Sequence, residues 1–213
     1  LTTLQTETYR SMRIQPKDTL AAAQELYTAG LISYPRTSSQ QLPPEIGFKK
    51  LLEALKKQEY YKVLAEKLLA KKDLKPNNGK KTDSAHPAIY PTGQISKIDD
   101  ERQAKVYDII VRRFLATFSD PATRETMKII FDVNSEKFSS KGTRTVEKGW
   151  HEFYGHHVKM DENELPTVVK DDKFPIVKID HLEKETSPPK RYSPATIIKI
   201  LDLYPDWKAE VYG

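Results

Sequence analysis

Residues 16–37 read PKDTLAAAQELYTAGLISYPRT, and this stretch places a tyrosine just beyond a helix and a turn. Pro16 suits the first turn of a helix, and the apolar residues that follow it repeat at helical spacing. Gly30 is placed to end that helix, and the apolar run after it predicts a short extended segment. Pro35 disfavours the helical conformation at Tyr34. The sequence therefore predicts that Tyr34 is fixed in an extended segment at the edge of a cleft.

Further helices are predicted in the next part of the chain. Pro43-Pro44 begins a helix that continues to about residue 57, and another helix covers about 59–71. Residues 72–84 are polar and contain Pro, Gly and Asn, which predicts an exposed loop. Residues 99–118 carry the clearest helical pattern, with a broad apolar face.

After residue 121 the apolar period changes from helical spacing to alternation, which predicts β structure. We expect a strand at 127–133 and a turn at 139–142 that leads into a second strand. More β structure is expected after 148–150, and a last strand begins at 175–179. A hinge at Ser187-Pro188-Pro189 and a helix at 194–203 are predicted to follow.

Composition limits the classes of function. The 213 residues fit one large or two small domains, and no run of 18 apolar residues predicts a membrane span. The chain has no cysteine, which excludes a disulfide framework, thiol catalysis and cysteine-based zinc sites. The net charge of +5, with lysines crowded between residues 49 and 81, permits a polyanionic partner. A solvated helix face explains the lysines equally well.

Tyr34 and Arg36 together suit attack on a phosphodiester. A free phenol has a pKa near about 10, so it is a poor nucleophile at neutral pH without a nearby cation or base. The planar guanidinium of Arg36 can hold two phosphate oxygens and keeps its charge. The alternatives are that Tyr34 is one of the packing or surface tyrosines among the 11 in the chain, and that Arg36 pairs with a neighbouring acid.

Two further blocks give the pattern its specificity. Residues 85–93 read AHPAIYPTG and residues 190–193 read KRYS. With YPRTSSQ at 34–40, they stand in the order, and at about the distances, seen in type IA DNA topoisomerases. The chain resembles an internal piece of such an enzyme, closest to the archaeal topoisomerase I branch. The commoner bacterial block is HEAIRPT; since Tyr90 replaces its arginine, no role of that arginine is carried over.

The resemblance implies an α+β, multidomain fold in which a mostly helical domain carrying the tyrosine is inserted into a β-rich arch of a toroidal protein. The implied division is an arch-to-gate junction at 1–9, the helical domain at 10–121, the β-rich arch or hinge at 122–186, and the start of the helical DNA-binding body, truncated, at 187–213.

The resemblance also implies roles for individual residues. Tyr34 would be the nucleophile, Arg36 the phosphate-binding cation, and His86 a proton shuttle or phosphate donor. Thr37, Ser38, Arg191 and Tyr192 are candidates for DNA contact. Turn chemistry explains Thr37 and Ser38 equally well, and a hinge anchor explains Arg191 and Tyr192.

The implied activity is relaxation of DNA through a 5′-phosphotyrosyl intermediate, strand passage and religation without ATP. Single-stranded or negatively supercoiled DNA is the expected partner. The resemblance implies that Mg²⁺ binds an acidic cluster on a separate N-terminal domain, and these residues contain no acidic motif such as DxDxE. The isolated piece is therefore expected to be inactive, and the protein cytoplasmic and nucleoid-associated. The alternatives are a non-catalytic single-stranded DNA-binding module and the topoisomerase part of a reverse gyrase.

Overall fold

The structure, a computed structural model, describes residues 1–204. It contains helices, two single turns of 3₁₀ helix at Pro44–Ile46 and Gly155–His157, and one two-stranded sheet. In chain order these elements are α1 Thr2–Met12, α2 Pro16–Thr28, α3 Phe48–Lys56, α4 Lys62–Leu69, α5 Glu101–Ala116, β1 Thr123–Val133, β2 Glu136–Glu147, α6 Trp150–Tyr154 and α7 Pro194–Leu203. The predicted helices at 16–30, 99–118 and 194–203 are confirmed, as is the irregular loop at 72–84.

Helix α5 lies at the centre of the helical core. Asp100 caps its start by accepting a hydrogen bond from the Gln103 N–H at 2.8 Å, which satisfies one of the free amides of the first turn. Its apolar face packs against α2, α4 and α6. Leu26 of α2 and Leu68 of α4 are fully buried in the same cluster. This core is the scaffold that carries the tyrosine segment.

The end of α2 sets the direction of that segment. Gly30 adopts a φ of 73°. Its N–H donates to the Tyr27 carbonyl at 2.9 Å, and the Leu31 N–H donates to the Leu26 carbonyl at 2.9 Å. These two bonds form a Schellman motif, which needs a left-handed residue after the helix and is best served by glycine. The chain therefore turns at Gly30, and Tyr34 lies against Tyr27 in the last turn of α2.

The β structure is smaller than the alternation predicts. β1 and β2 form an antiparallel hairpin in which Phe131 faces Phe138. Its turn lies at Asn134 and Ser135, both with positive φ, as a two-residue type I′ turn requires. The predicted turn at 139–142 is wrong, because those residues lie inside β2. In β2 the residues Ser139 and Lys141 are exposed, whereas Gly142 is buried where a Cβ would lie 2.5 Å from the Asn163 carbonyl oxygen.

Two other predictions of β structure are wrong. Residues 148–150 lead into helix α6 because Gly149 turns the chain with a φ of 46° in close contact with Pro121. Residues 175–179 form no strand; they are exposed, and in the described part of the chain no neighbouring strand pairs with them. Prolines and charges on either side leave their apolar residues without a partner sheet.

The predicted boundary between residues 9 and 10 does not coincide with the end of a helix or strand. Helix α1 was not predicted, and it crosses the proposed boundary between residues 9 and 10. Helix α7 packs against α1, where the Thr2 hydroxyl donates to Asp202 at 3.4 Å. Residues 205–213 of the proposed last domain lie outside the described residues. The division into four parts stays a prediction.

None of the helices in the described residues is both long enough and apolar enough to span a membrane.

Candidate active site around Tyr34

The segment that carries Tyr34 pairs with the block at 85–93. The Ser33 N–H donates to the Tyr90 carbonyl at 2.9 Å, and the Tyr90 N–H donates to the Ser33 hydroxyl at 2.9 Å. Next to them, the Thr92 N–H donates to the Leu31 carbonyl at 3.0 Å, and the Thr92 hydroxyl donates to the Gly30 carbonyl at 2.6 Å. Two blocks that are far apart in the sequence therefore form one short ladder that fixes the backbone before Tyr34.

Tyr34 lies between two other rings. Its centroid is 4.7 Å from that of His86, with the rings tilted by 41°. On the other side it is 5.2 Å from Tyr27 in an edge-to-face arrangement. Tyr34 is half-buried, so part of its side chain stays exposed to solvent although its ring contacts two others. The predicted proximity of Tyr34 and His86 is present in the fold.

Arg36 is exposed and lines one end of a cleft of about 690 Å³ between the 36–40 segment, α1 and α5. In the described part of the chain it forms neither an ion pair nor a hydrogen bond. The alternative role for this arginine, pairing with a neighbouring acid, is therefore not seen. Its five N–H donors are therefore free to bind an anion in this cleft.

Asp83 joins the two motif blocks, and sequence reasoning missed it. One carboxylate oxygen accepts the N–H groups of Ala85 at 2.9 Å and His86 at 3.1 Å. The other accepts the N–H and the hydroxyl of Ser38, both at 3.3 Å. The backbone N–H groups of Ala85, Ser38 and His86 lower the pKa of Asp83 to about 2. The only sequence signal was an aspartate three residues before a motif histidine.

Thr37 and Ser38 serve the local turn. Thr37 is buried; its hydroxyl donates to the His86 carbonyl at 3.4 Å and accepts the Ser39 N–H at 3.0 Å. Ser38 is exposed, and its hydroxyl donates a hydrogen bond to the Asp83 carboxylate. The turn role proposed for these residues is present; their contact with DNA stays a prediction.

Arg191 and Tyr192 are not brought to this site. Both are exposed just before α7, and the structure shows no hydrogen bond, ion pair or ring contact between them and Tyr34, Arg36 or His86. The next residue, Ser193, caps α7 through a capping box, a reciprocal pair of hydrogen bonds with Thr196. The predicted DNA contact of Arg191 and Tyr192, and the alternative of a hinge anchor, stay predictions.

The lysines between 49 and 81 are partly neutralised. Seven remain exposed without an ion pair among the described residues: Lys49, Lys50, Lys57, Lys62, Lys72, Lys75 and Lys80. The other four pair with acids: Lys56 with Glu66, Lys67 with Glu152, Lys71 with Asp120 and Lys81 with Asp202. This surface keeps a positive excess, but less than the sequence alone indicates.

A second polar cluster surrounds Asp108, in the middle of α5. The Asp108 carboxylate contacts His157 Nε2 at 2.8 Å and His156 Nε2 at 3.4 Å, and it also binds Tyr61 and Arg112. Three ligand atoms of Asp108, His156 and His157 fall within 4.8 Å of one another. The imidazoles do not suit Mg²⁺, which takes oxygen ligands. Because a guanidinium and a phenol already satisfy the carboxylate, we interpret this cluster as a structural network.

Comparison with known proteins assigns the chain to one family. A family profile described as DNA topoisomerase matches residues 1–204, so the chain belongs to the DNA topoisomerase family. The resemblance to type IA enzymes seen in the three motif blocks is thereby confirmed.

The chain is similar to several individual members of that family. It is 46% identical over 204 residues to DNA topoisomerase 1 of Pyrococcus horikoshii, covering 95% of this chain and 30% of that protein. It is 46% identical over 203 residues to DNA topoisomerase 1 of Methanocaldococcus jannaschii, covering 95% of this chain and 26% of that protein. Human DNA topoisomerase 3-alpha is 31% identical over 195 residues, covering 92% of this chain and 19% of that protein. The chain thus spans less than a third of the length of each of these relatives.

The structural comparison agrees on the fold. Full-length topoisomerase I from Thermotoga maritima superimposes with a TM-score of 0.61 at 20% sequence identity, covering 95% of this chain and 34% of that one. At this identity the likeness shows the fold alone. The mixture of helices with a small sheet is consistent with the predicted α+β class, while the insertion of the helical part into an arch stays a prediction.

Proposed function

We propose that this chain supplies the nucleophile of a type IA DNA topoisomerase. The observation that carries the proposal is the arrangement of Tyr34: its ring lies against His86, and an unpaired guanidinium, Arg36, follows two residues later. In this proposal the phosphate that Arg36 binds is the one that the phenol oxygen attacks. Family membership supports the reaction type, since the three motif blocks occur together in the matched residues 1–204.

In the proposed reaction the Tyr34 oxygen attacks the phosphorus of a single-stranded DNA backbone. The phenol loses its proton, the bond between phosphorus and the 3′ oxygen breaks, and that oxygen takes a proton. The products are a 5′-phosphotyrosyl bond and a free 3′ hydroxyl. One phosphodiester replaces another, so the free energy of the broken DNA bond is stored in the bond to tyrosine. The 3′ hydroxyl can therefore attack that bond and reseal the strand without ATP.

Arg36 and His86 have separate tasks in this scheme. Arg36 stabilises the negative charge that develops on the phosphate oxygens, an effect that reaches about 3–4 kcal/mol when a preorganised donor is removed from an enzyme site. His86 lies next to the ring of Tyr34 and can donate to the phosphate or carry the proton exchanged with the 3′ oxygen. Asp83 holds the His86 backbone in place for this task.

Magnesium has no ligand set near Tyr34 in the described residues. Asp83 is the carboxylate joined to both motif blocks, and four hydrogen bonds already occupy it. We propose that Mg²⁺ binds acidic residues in a part of the intact enzyme that this chain does not cover, since the chain spans 30% of the Pyrococcus horikoshii relative. Tyr34, Arg36 and His86 act directly on the phosphate and its protons.

Passage of a second strand requires the helical part to move away from the rest of the protein. We propose the exposed Ser187-Pro188-Pro189 segment and the β1–β2 hairpin as the parts that flex. Single-stranded regions of negatively supercoiled DNA are the proposed substrate. Equal hydrogen exchange of residues 122–189 in free and DNA-bound protein would argue against this motion.

Covalent capture tests the proposed function. The chain would be used alone and as a replacement for the matching segment of Pyrococcus horikoshii DNA topoisomerase 1, with Mg²⁺ and an oligonucleotide labelled at either end. A 5′-phosphotyrosyl bond predicts that the 3′-end label stays on the denatured protein, while the 5′-end label appears on a shorter free strand. Tyr34→Phe should abolish both products. Tyr60→Phe is the matched control, because Tyr60 is 86% exposed and makes no ring contact with Tyr34 or His86.

The outcomes separate the alternatives. An adduct in the replacement protein that depends on Tyr34 supports the proposal. An adduct that persists in Tyr34→Phe refutes the assignment of the nucleophile. Salt-dependent DNA binding with no adduct in either protein would leave a non-catalytic single-stranded DNA-binding module. A reverse gyrase origin would show as a helicase domain in the complete protein.

A further inference from the structure

We propose that Tyr27 is a positioning residue for Tyr34, holding the phenol ring of the nucleophile in the orientation from which it attacks. This inference rests on the function proposed for Tyr34, and it adds a residue that lies outside the three motif blocks. Tyr27 lies in the last turn of α2, seven residues before the tyrosine it contacts.

The contact follows from the way α2 ends. The Schellman motif at Gly30 reverses the chain, and the bond from the Gly30 N–H to the Tyr27 carbonyl places the Tyr27 backbone at the base of that reversal. The ring of Tyr27 then meets the ring of Tyr34 with a centroid distance of 5.2 Å and an angle of 70°. This edge-to-face geometry is a preferred arrangement for aromatic pairs.

Tyr34 is thereby held from two independent segments. His86 contacts it at 4.7 Å from the 85–93 block, and Tyr27 contacts it from α2. A tyrosine side chain has two rotatable bonds, and one flanking ring limits its swing in one direction only. With both rings present, the phenol oxygen has a narrow range of positions, which in-line attack on phosphorus requires.

Core packing does not account for Tyr27. Its side chain is 41% exposed, and it lies outside the buried cluster formed by its helix neighbours Ala23 and Leu26. Among the described residues its hydroxyl forms no hydrogen bond, so the ring rather than the oxygen makes the contact. A phenylalanine should therefore replace it, and an aliphatic residue should not.

The test compares Tyr27→Phe and Tyr27→Leu in the same replacement protein, with Tyr60→Leu as the control for loss of an exposed tyrosine. The rate of adduct formation is measured at saturating oligonucleotide, and affinity is measured separately on a Tyr34→Phe background. We expect Tyr27→Leu to slow adduct formation by roughly two- to tenfold with unchanged DNA affinity. This is the rate change that corresponds to the interaction energy of one aromatic pair. Tyr27→Phe should restore the rate, and Tyr60→Leu should not change it.

Two results would overturn the inference: a wild-type rate in Tyr27→Leu, or a loss of affinity with no change in the saturating rate, which indicates that Tyr27 stacks on a DNA base. A protein with native Tyr27 that forms no adduct would instead contradict the proposed function of Tyr34. In that case the NMR chemical shifts of the Tyr34 ring protons still test whether its ring contacts that of Tyr27. They should move on Tyr27→Leu and recover in Tyr27→Phe, and unchanged shifts would refute it.

Discussion

Removal of the Asp108 side chain should strongly destabilise the helical core. The carboxylate accepts from the Tyr61 hydroxyl at 3.0 Å and from Arg112 Nε at 2.9 Å, and it contacts His157 Nε2 at 2.8 Å. His157 is fully buried, and its other nitrogen lies 2.9 Å from the Ser11 hydroxyl. The Asp108 network therefore joins α1, α5, the turn that begins α4 and the turn that follows α6.

The size of the effect follows from what Asp108→Ala leaves behind. A buried imidazole and a buried phenol lose their partner, and the Arg112 guanidinium loses its counter-ion. Breaking a buried pair by removing one member costs about 3–5 kcal/mol. Because the Asp108 side chain keeps 22% exposure, we expect the lower end, about 3 kcal/mol. For a chain of this size that corresponds to a fall in Tm of about 6–12 °C.

Thermal and urea denaturation followed by circular dichroism at pH 7 would measure this loss. Asp99→Ala is the control, since Asp99 is 75% exposed and pairs only with Lys97 at the surface. It should change stability by less than about 0.5 kcal/mol. A cost below about 1 kcal/mol for Asp108→Ala would refute the reasoning, because it would mean that water replaces Asp108 at His157 and Tyr61.

The pH dependence of the same network has a definite sign. Burial raises the pKa of Asp108, but the hydrogen bonds from His157 and Tyr61 and the charge of Arg112 outweigh it, so the pKa lies below its ordinary value. The ionised form is thus favoured in the folded state. Its contribution is present above the ordinary carboxyl pKa of about 4 and is lost as the pH falls through the lower folded value.

Two further predictions concern the segment that holds Tyr34. A methyl group added at Gly93 would lie 2.7 Å from the Ala54 Cβ, whereas one added at Gly47 would meet nothing within 4 Å, and both residues have positive φ. Gly93→Ala should therefore cost about 1–3 kcal/mol more than Gly47→Ala in urea denaturation, and equal costs would contradict the contact. The depressed pKa of Asp83, about 2, means that its stabilising bonds are present above about pH 4 and are lost as the pH falls towards 2. The stability difference between native protein and Asp83→Asn should shrink over that interval in acid denaturation, and a constant difference would contradict this account.

Sequence reasoning was most successful where local rules decide the structure. The period of apolar residues located α5, and proline and glycine at the two ends located α2, because capping and periodicity depend on near neighbours. The hairpin was predicted, but its turn was misplaced by several residues. Asn134 and Ser135 lack the glycine that usually marks such a turn, while Gly142 lies inside a strand.

The sequence by itself determined the chemistry available to this protein: a tyrosine held by Pro35 after a glycine turn, an arginine two residues later, and a histidine block downstream. Motif identity needs only residue types and order. Tertiary structure decided which groups meet. The ladder between Ser33 and Tyr90, the Asp83 bonds to Ser38 and His86, and the contact of Tyr27 with Tyr34 all depend on how α2 ends and where the 83–93 segment returns. Such contacts join residues distant in the chain, and only packing of the core fixes their distances.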